Sequence, residues 1–160
     1  MESEGDKEEK IQIKMNELLY EETPQMMTNI FQNMKNRNVN STTSITEVME
    51  WIKRGRFKQE IETARNFGKS HPIFETIKST TPTFTPNGTF IGIRKVDHIN
   101  ELNGLIYLDI DHPIDTTILN GIPFIYSYWK SISGKGYGLL IKTDGLTINN
   151  FKSSWTYLSD

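Results

Sequence analysis

The sequence predicts an α+β domain, and three observations carry that prediction. Residues 44–55 hold a complete helix signal; at Thr80 helical spacing gives way to short apolar runs between turns; and the runs 105–110 and 137–142 have the length and composition of strands. Residues 1–10 are charged and nearly free of apolar side chains, so they offer little burial to offset the entropy of ordering and are expected to form a flexible tail. Segment 11–19 fits a strand or a helix. Met26, Met27, Ile30, Phe31 and Met34 have loosely helical spacing, followed by a polar loop over 36–43. Ser44 with Glu47 forms a capping box and Gly55 stands where a C-terminal cap belongs, which predicts a helix over 45–54. Further helices are expected over 57–66 and 73–78. Beyond Thr80, strands are expected over 89–94, 105–110, 124–130 and 137–142, a helical turn over 114–120, a turn at Asp144 and Gly145, and a helix over 147–158. The run 105–110 is continuous enough to be buried on both faces. This divides the chain into a tail (1–10), a mainly helical part (11–79) and a sheet region (80–160), with 11–160 as one structural domain.

Composition removes several function classes. The 160 residues suit one domain, and 36% hydrophobic content can build one core. A net charge of -2 gives no global basic field, so a nucleic-acid contact would need a local patch or a bound metal. With no cysteine, disulfides, thiolate zinc sites and cysteine nucleophiles are impossible. No apolar run reaches the roughly 20 residues of a membrane span, and an acidic start has the wrong sign for a secretory leader. The expectation is a cytoplasmic protein with no membrane partner.

Two segments carry chemistry. Residues 105–112 form a hydrophobic run ending in Asp109 and Asp111, and strand alternation sends both carboxylates to one face. Two like charges so close repel each other, and a bound Mg²⁺ or Mn²⁺ relieves that conflict. The plainer alternative is that the acids mark where a strand emerges into solvent; His112 is read as a cap or structural hydrogen bond ahead of a metal neighbour. The second segment, residues 131–138, brings Ser131, Ser133 and Lys135 together with Gly134, Gly136 and Gly138. Glycines let backbone amides approach phosphate oxygens and Lys135 adds a cation, although the Walker A spacing is absent. An ordinary glycine-rich hairpin is the alternative. Lys53, Arg54, Arg56 and Lys58 read as a solvated helix end. Tyr126, Tyr128, Trp129 and Tyr137 read as packing before base stacking. The scattered His71, His98 and His112 support no hydrolytic triad.

The order of these segments resembles motifs I and II of the archaeo-eukaryotic primase (primase-polymerase) superfamily. With Thr85, Pro86, Asn87, Gly88, Thr89 and Phe90 ahead of them, they resemble its VirE N-terminal-like branch from phage and mobile elements. The resemblance implies an RNA-recognition-like (RRM-like) primase-type sheet and a metal-dependent nucleotidyltransferase for primer synthesis or extension in DNA replication. It implies catalytic and metal-binding roles for Asp109 and Asp111 with Mg²⁺ or Mn²⁺, and contacts from Ser131, Ser133, Gly134, Lys135 and Gly136 to a nucleoside triphosphate. Arg94, Lys95 and Tyr137 are candidate nucleic-acid contacts, with a DNA template and a helicase domain as expected partners. Gly138 stands where many members have histidine, and the third motif would fall beyond Leu158, so weak activity is expected of these 160 residues alone. Two other classes stay open: a non-catalytic nucleic-acid-binding or replisome-docking module, and a metal-dependent phosphohydrolase.

Overall fold

The computed structural model describes residues 25–159; segments 1–10 and 11–19 and Asp160 lie outside them. The elements in chain order are β1 (Met27–Phe31), β2 (Ser41–Ser44), α1 (Ile45–Lys53), α2 (Lys58–Phe67), α3 (Pro72–Thr80), β3 (Thr83–Phe84) and β4 (Gly88–Phe90). A 3-10 turn (Val96–His98) leads to β5 (Ile99–Leu102), β6 (Leu105–Ile110), α4 (Thr116–Leu119), β7 (Ile125–Lys130), β8 (Tyr137–Lys142) and α5 (Phe151–Ser159). The α+β class holds, and every strand pair is antiparallel. The strands divide into three small sheets, ordered β2-β1-β3, β4-β5 and β6-β8-β7.

The helix signals work as local chemistry requires. Ser44 Oγ accepts from Glu47 N at 3.1 Å, while the Glu47 carboxylate takes the Thr43 hydroxyl instead of closing the box. Gly55, at φ 69°, turns the chain out of α1. α3 begins with Pro72 behind His71, whose ring accepts from Ile73 N at 3.2 Å.

The helical reading of residues 26–34 is corrected by β1. Met27, Ile30 and Phe31 have helical spacing, but the residues between them, Thr28 and Asn29, are fully buried. Asn29 Nδ2 donates to Thr42 Oγ1 at 2.9 Å, and its Oδ1 accepts from Phe90 N. Thr28 Oγ1 donates to Thr85 O at 2.6 Å, and Thr85 Oγ1 donates to Gly88 O at 2.8 Å. These partners lie far along the chain, so the segment is extended because remote strands satisfy it. Among the described residues the 11–79 part therefore contains two strands ahead of three helices. The strand expected over 89–94 ends at Phe90, and Ile93 keeps an isolated bridge to Asn38.

Ile45, Leu105 and Leu140 make the central core, placing α1 against one face of the β6-β8-β7 sheet. β6 is an edge strand. It is not buried on both faces throughout: Leu105 and Ile106 are inaccessible, whereas Asp109 is exposed. At its free edge Trp155 Nε1 of α5 donates to Tyr107 O at 3.1 Å, occupying a carbonyl that would otherwise lie open to another strand. Among the described residues no helix is long and apolar enough to cross a membrane.

Candidate functional site

Asp109, one residue before the end of β6, lies opposite Gly138 of β8, and Gly138 in turn pairs with Trp129 of β7. Tyr107 and Asp109 share that sheet face by strand alternation, and Asp109 and Asp111 are both exposed. Their charges reach the Tyr107 phenol, which is pushed up to about 12. Burial is the largest cause, followed by the charge of Asp109, hydrogen bonding to that carboxylate and the charge of Asp111. The acid pair thus lies on the Tyr107 side of the sheet at its accessible end. Among the described residues no third His, Cys, Asp or Glu joins it to form a cluster suited to a metal.

The glycine-rich hairpin between β7 and β8 leans directly on these acids. A methyl group on Gly136 would stand 1.9 Å from Ile110 O and 3.1 Å from Asp111 Cα, so only glycine permits the contact. The hairpin is closed by its own hydrogen bonds. Gly134 N donates to Ser131 O at 2.9 Å, Lys135 N to Ser133 Oγ at 3.3 Å and Gly136 N to Ser131 Oγ at 3.2 Å. The expectation of amides aimed at phosphate is therefore not the arrangement adopted, because Ser131 and Ser133 already occupy them. Lys135 remains exposed and has no ion-pair partner among the described residues.

Gly138 has a steric explanation. An added Cβ would lie 2.8 Å from Trp129 Cε2 and 2.9 Å from Tyr107 Cε2, and those two rings stack with centroids 5.9 Å apart. Histidine at this place would displace the aromatic pair. Tyr107 and Trp129, with Phe84 at 6.0 Å from Trp129, wall one side of a cleft of about 680 Å³ whose other side is built by β1, β2 and α1.

The candidate nucleic-acid contacts fare differently from the acids. Arg94 lies 4.8 Å over the Phe31 ring and donates through Nη2 to Met34 O at 2.9 Å, so its guanidinium holds the 31–37 loop. Lys95 pairs with Asp97 at 3.3 Å. Tyr137 lies in register with Ile110 and Lys130, on the face away from Asp109. None of the three joins the acid pair and Lys135. In the basic cluster, Lys53 and Arg54 meet Glu50 and Lys58 meets Glu62, whereas Arg56 lies 4.3 Å over Trp51. His71 caps α3, His98 bonds Ile91 O at 3.0 Å, and His112 is exposed.

Fold and site together define an α+β domain whose acidic edge-strand end is braced by a closed glycine hairpin beside an aromatic cleft. The chain belongs to the family described as BT4734-like, N-terminal domain, whose model matches residues 76–160, just over half of the chain and including both chemical segments. No curated protein and no solved structure matches it. This family assignment overturns the resemblance to the primase-polymerase superfamily and its VirE N-terminal-like branch. That resemblance rested on short motifs in order, and several of them are accounted for by structure. Thr85 and Asn87 staple strands, with Asn87 Nδ2 donating to Leu105 O at 3.0 Å, while Gly136 and Gly138 answer close approaches.

Sequence reasoning missed Arg65 and Tyr107. Arg65 Nη2 donates to Ser131 O at 2.9 Å across 66 residues of chain, and its buried Nε has no partner among the described residues. A methyl on Gly134 would stand 3.2 Å from that Nε. The signal available for Arg65 was a cation in the last turn of a helix, which any exposed residue could give. Tyr107 was hidden inside an apolar run, although its place two residues before Asp109 puts it on the same face.

Proposed function

We propose that the domain is a metal-dependent nucleotidyltransferase acting on nucleoside triphosphates, with primer synthesis or extension on a DNA template as its reaction. The observation that carries the reading is the close approach of Gly136 to Ile110 and Asp111, which seats the hairpin bearing Lys135 on the strand end that carries two exposed carboxylates. Hard oxygen donors at a strand end suit Mg²⁺ or Mn²⁺, and Mg²⁺ is commonly held by one or two carboxylates together with substrate phosphates. Asp109 and Asp111 would hold the ion, which when bound neutralises triphosphate charge and favours loss of the primer hydroxyl proton. Lys135 would meet the outer phosphates. Arg65 positions the hairpin through Ser131 O, keeping Lys135 in reach. The primer 3′-oxygen forms the new bond to the α-phosphorus, the bond to the bridging oxygen breaks, pyrophosphate leaves and the hydroxyl proton passes to solvent.

A second reading, a non-catalytic nucleic-acid-binding or docking module, is favoured by the closed hairpin, whose amides are spent internally. Primer extension with labelled nucleotides and Mn²⁺, run beside calorimetric Mn²⁺ binding, separates the two. For the first reading, Asp109→Asn with Asp111→Asn abolishes both incorporation and ion binding. Lys135→Ala weakens nucleotide binding by about ten- to hundredfold, the value of one charge-assisted contact. Ion binding unchanged in the double variant would remove the acids from the reading. Nucleic-acid binding without any incorporation would favour the second.

A further inference from the structure

We propose that the cleft between α1, the β2-β1-β3 sheet and the Tyr107–Trp129 pair receives the base and sugar of a nucleoside triphosphate, whose phosphates then reach Lys135 and the acid pair. This deepens the proposed nucleotidyl transfer and rests on it.

Size, wall chemistry, charge and position support this occupant. A volume of about 680 Å³ lies within the range of small-molecule pockets, roughly 300–1,000 Å³. Trp51, Phe84, Tyr107 and Trp129 contribute aromatic wall, and Tyr107 and Trp129 are inclined by only 21°, offering a broad surface for a planar ring. Thr83, also in the lining, has a buried hydroxyl with no partner among the described residues; a heterocycle with hydrogen-bonding edges can satisfy it, whereas an aliphatic occupant cannot. The lining includes Arg56, Lys78 and Lys130 and no Asp or Glu, so its charged side chains are donors suited to the oxygen and ring-nitrogen acceptors on a base edge. Arg56 has no carboxylate partner among the described residues, unlike Lys53, Arg54 and Lys58 around it. Finally, the cleft adjoins both chemical segments. Tyr107 lies in its wall and shares a sheet face with Asp109, two residues on in β6, and Ile132 in its wall belongs to the glycine hairpin. A base seated there is one ring away from the acids.

The test is a set of binding titrations of the whole chain, followed by tryptophan fluorescence and calorimetry with Mg²⁺ present. Each of the four common ribonucleoside triphosphates is compared with inorganic tripolyphosphate, which has the charge and no base. The nucleotides should bind roughly tenfold tighter or more, the value of stacking one base. Arg56→Ala and Thr83→Val should each erase most of that margin while leaving tripolyphosphate binding unchanged. Thr83→Val removes only an unpartnered group, so the fold should tolerate it. In Asp109→Asn with Asp111→Asn, tripolyphosphate binding should fall and the margin should persist. Equal binding of nucleotide and tripolyphosphate, both lost in the Asn pair, would overturn the cleft assignment and leave the acids' role standing. A margin insensitive to both cleft variants would also overturn it. A nucleotide margin that depends on Arg56 and Thr83 with no response to the Asn pair would keep the cleft and remove the acids. An apolar peptide that binds through Arg56 and Thr83 and resists displacement by nucleotide would identify a different occupant and overturn the proposal.

Discussion

The polar knot around Asn29 and the charged patch around Asp109 are both built from hydrophilic residues on strands, yet they are opposite in kind. In the knot, Thr28, Asn29, Thr85 and Thr89 are nearly inaccessible, and Asn29 bonds through both its side-chain nitrogen and its side-chain oxygen. In the patch, Asp109, Asp111 and Lys135 are exposed, and Lys135 has no carboxylate partner among the described residues. A polar group withdrawn from water and fully bonded serves the fold, because leaving it unbonded costs more than the bond contributes. Charges left in water without partners cost the fold little and remain available to a ligand.

Breaking the knot should have the largest effect on stability. Asn29→Ala leaves the half-buried Phe90 N without its acceptor, removes the partner of Thr42 Oγ1 and empties a buried side-chain site at once. The expected loss is about 3 kcal/mol in unfolding free energy, since each unsatisfied buried group costs about 1–3 kcal/mol. Denaturant unfolding measures this, and a loss below about 1 kcal/mol would mean that water or a rearranged side chain replaces the lost bonds. Gly136→Ala should come next, at about 2 kcal/mol, because a methyl 1.9 Å from Ile110 O forces β6 and the hairpin apart. The same variant should lower Mn²⁺ affinity by moving Asp111, which joins the two halves of the comparison.

The patch itself should be almost silent in stability. Asp109→Asn should shift unfolding by less than about 0.5 kcal/mol yet change the titration of Tyr107. In the folded protein that phenol keeps its proton up to about 12, against 10.0 for an unperturbed tyrosine. Its contribution to stability is therefore complete below the unfolded value and is lost as pH rises through the folded one. Removing the Asp109 charge should lower the midpoint while leaving it above 10.0, because burial is the larger cause. Ultraviolet titration of phenolate formation reads the change; an unaltered midpoint would show that Asp109 and Tyr107 do not interact in solution.

Much of this molecule follows from short-range chemistry that a sequence displays. The bounds of β6 and β8 are those of their apolar runs, and Ser44, Gly55 and Pro72 mark helix ends because the groups they serve are a few residues away. Alternation alone places Asp109 with Tyr107, and the acid pair is visible as soon as the strand is recognised. The rest depends on partners the sequence does not display. β1 is a strand because Thr85 and Phe90, 57 and 61 residues on, accept it as one. The hairpin is closed and seated by Arg65 from another helix, and Gly138 answers to two aromatic rings that meet across three strands. Sequence by itself determined the α+β class, the main strands and the two acids, because each rests on interactions within one or two turns of chain. Tertiary structure decided the buried knot, the spent amides of the hairpin and the aromatic cleft, because each exists only where surfaces distant along the chain exclude water together.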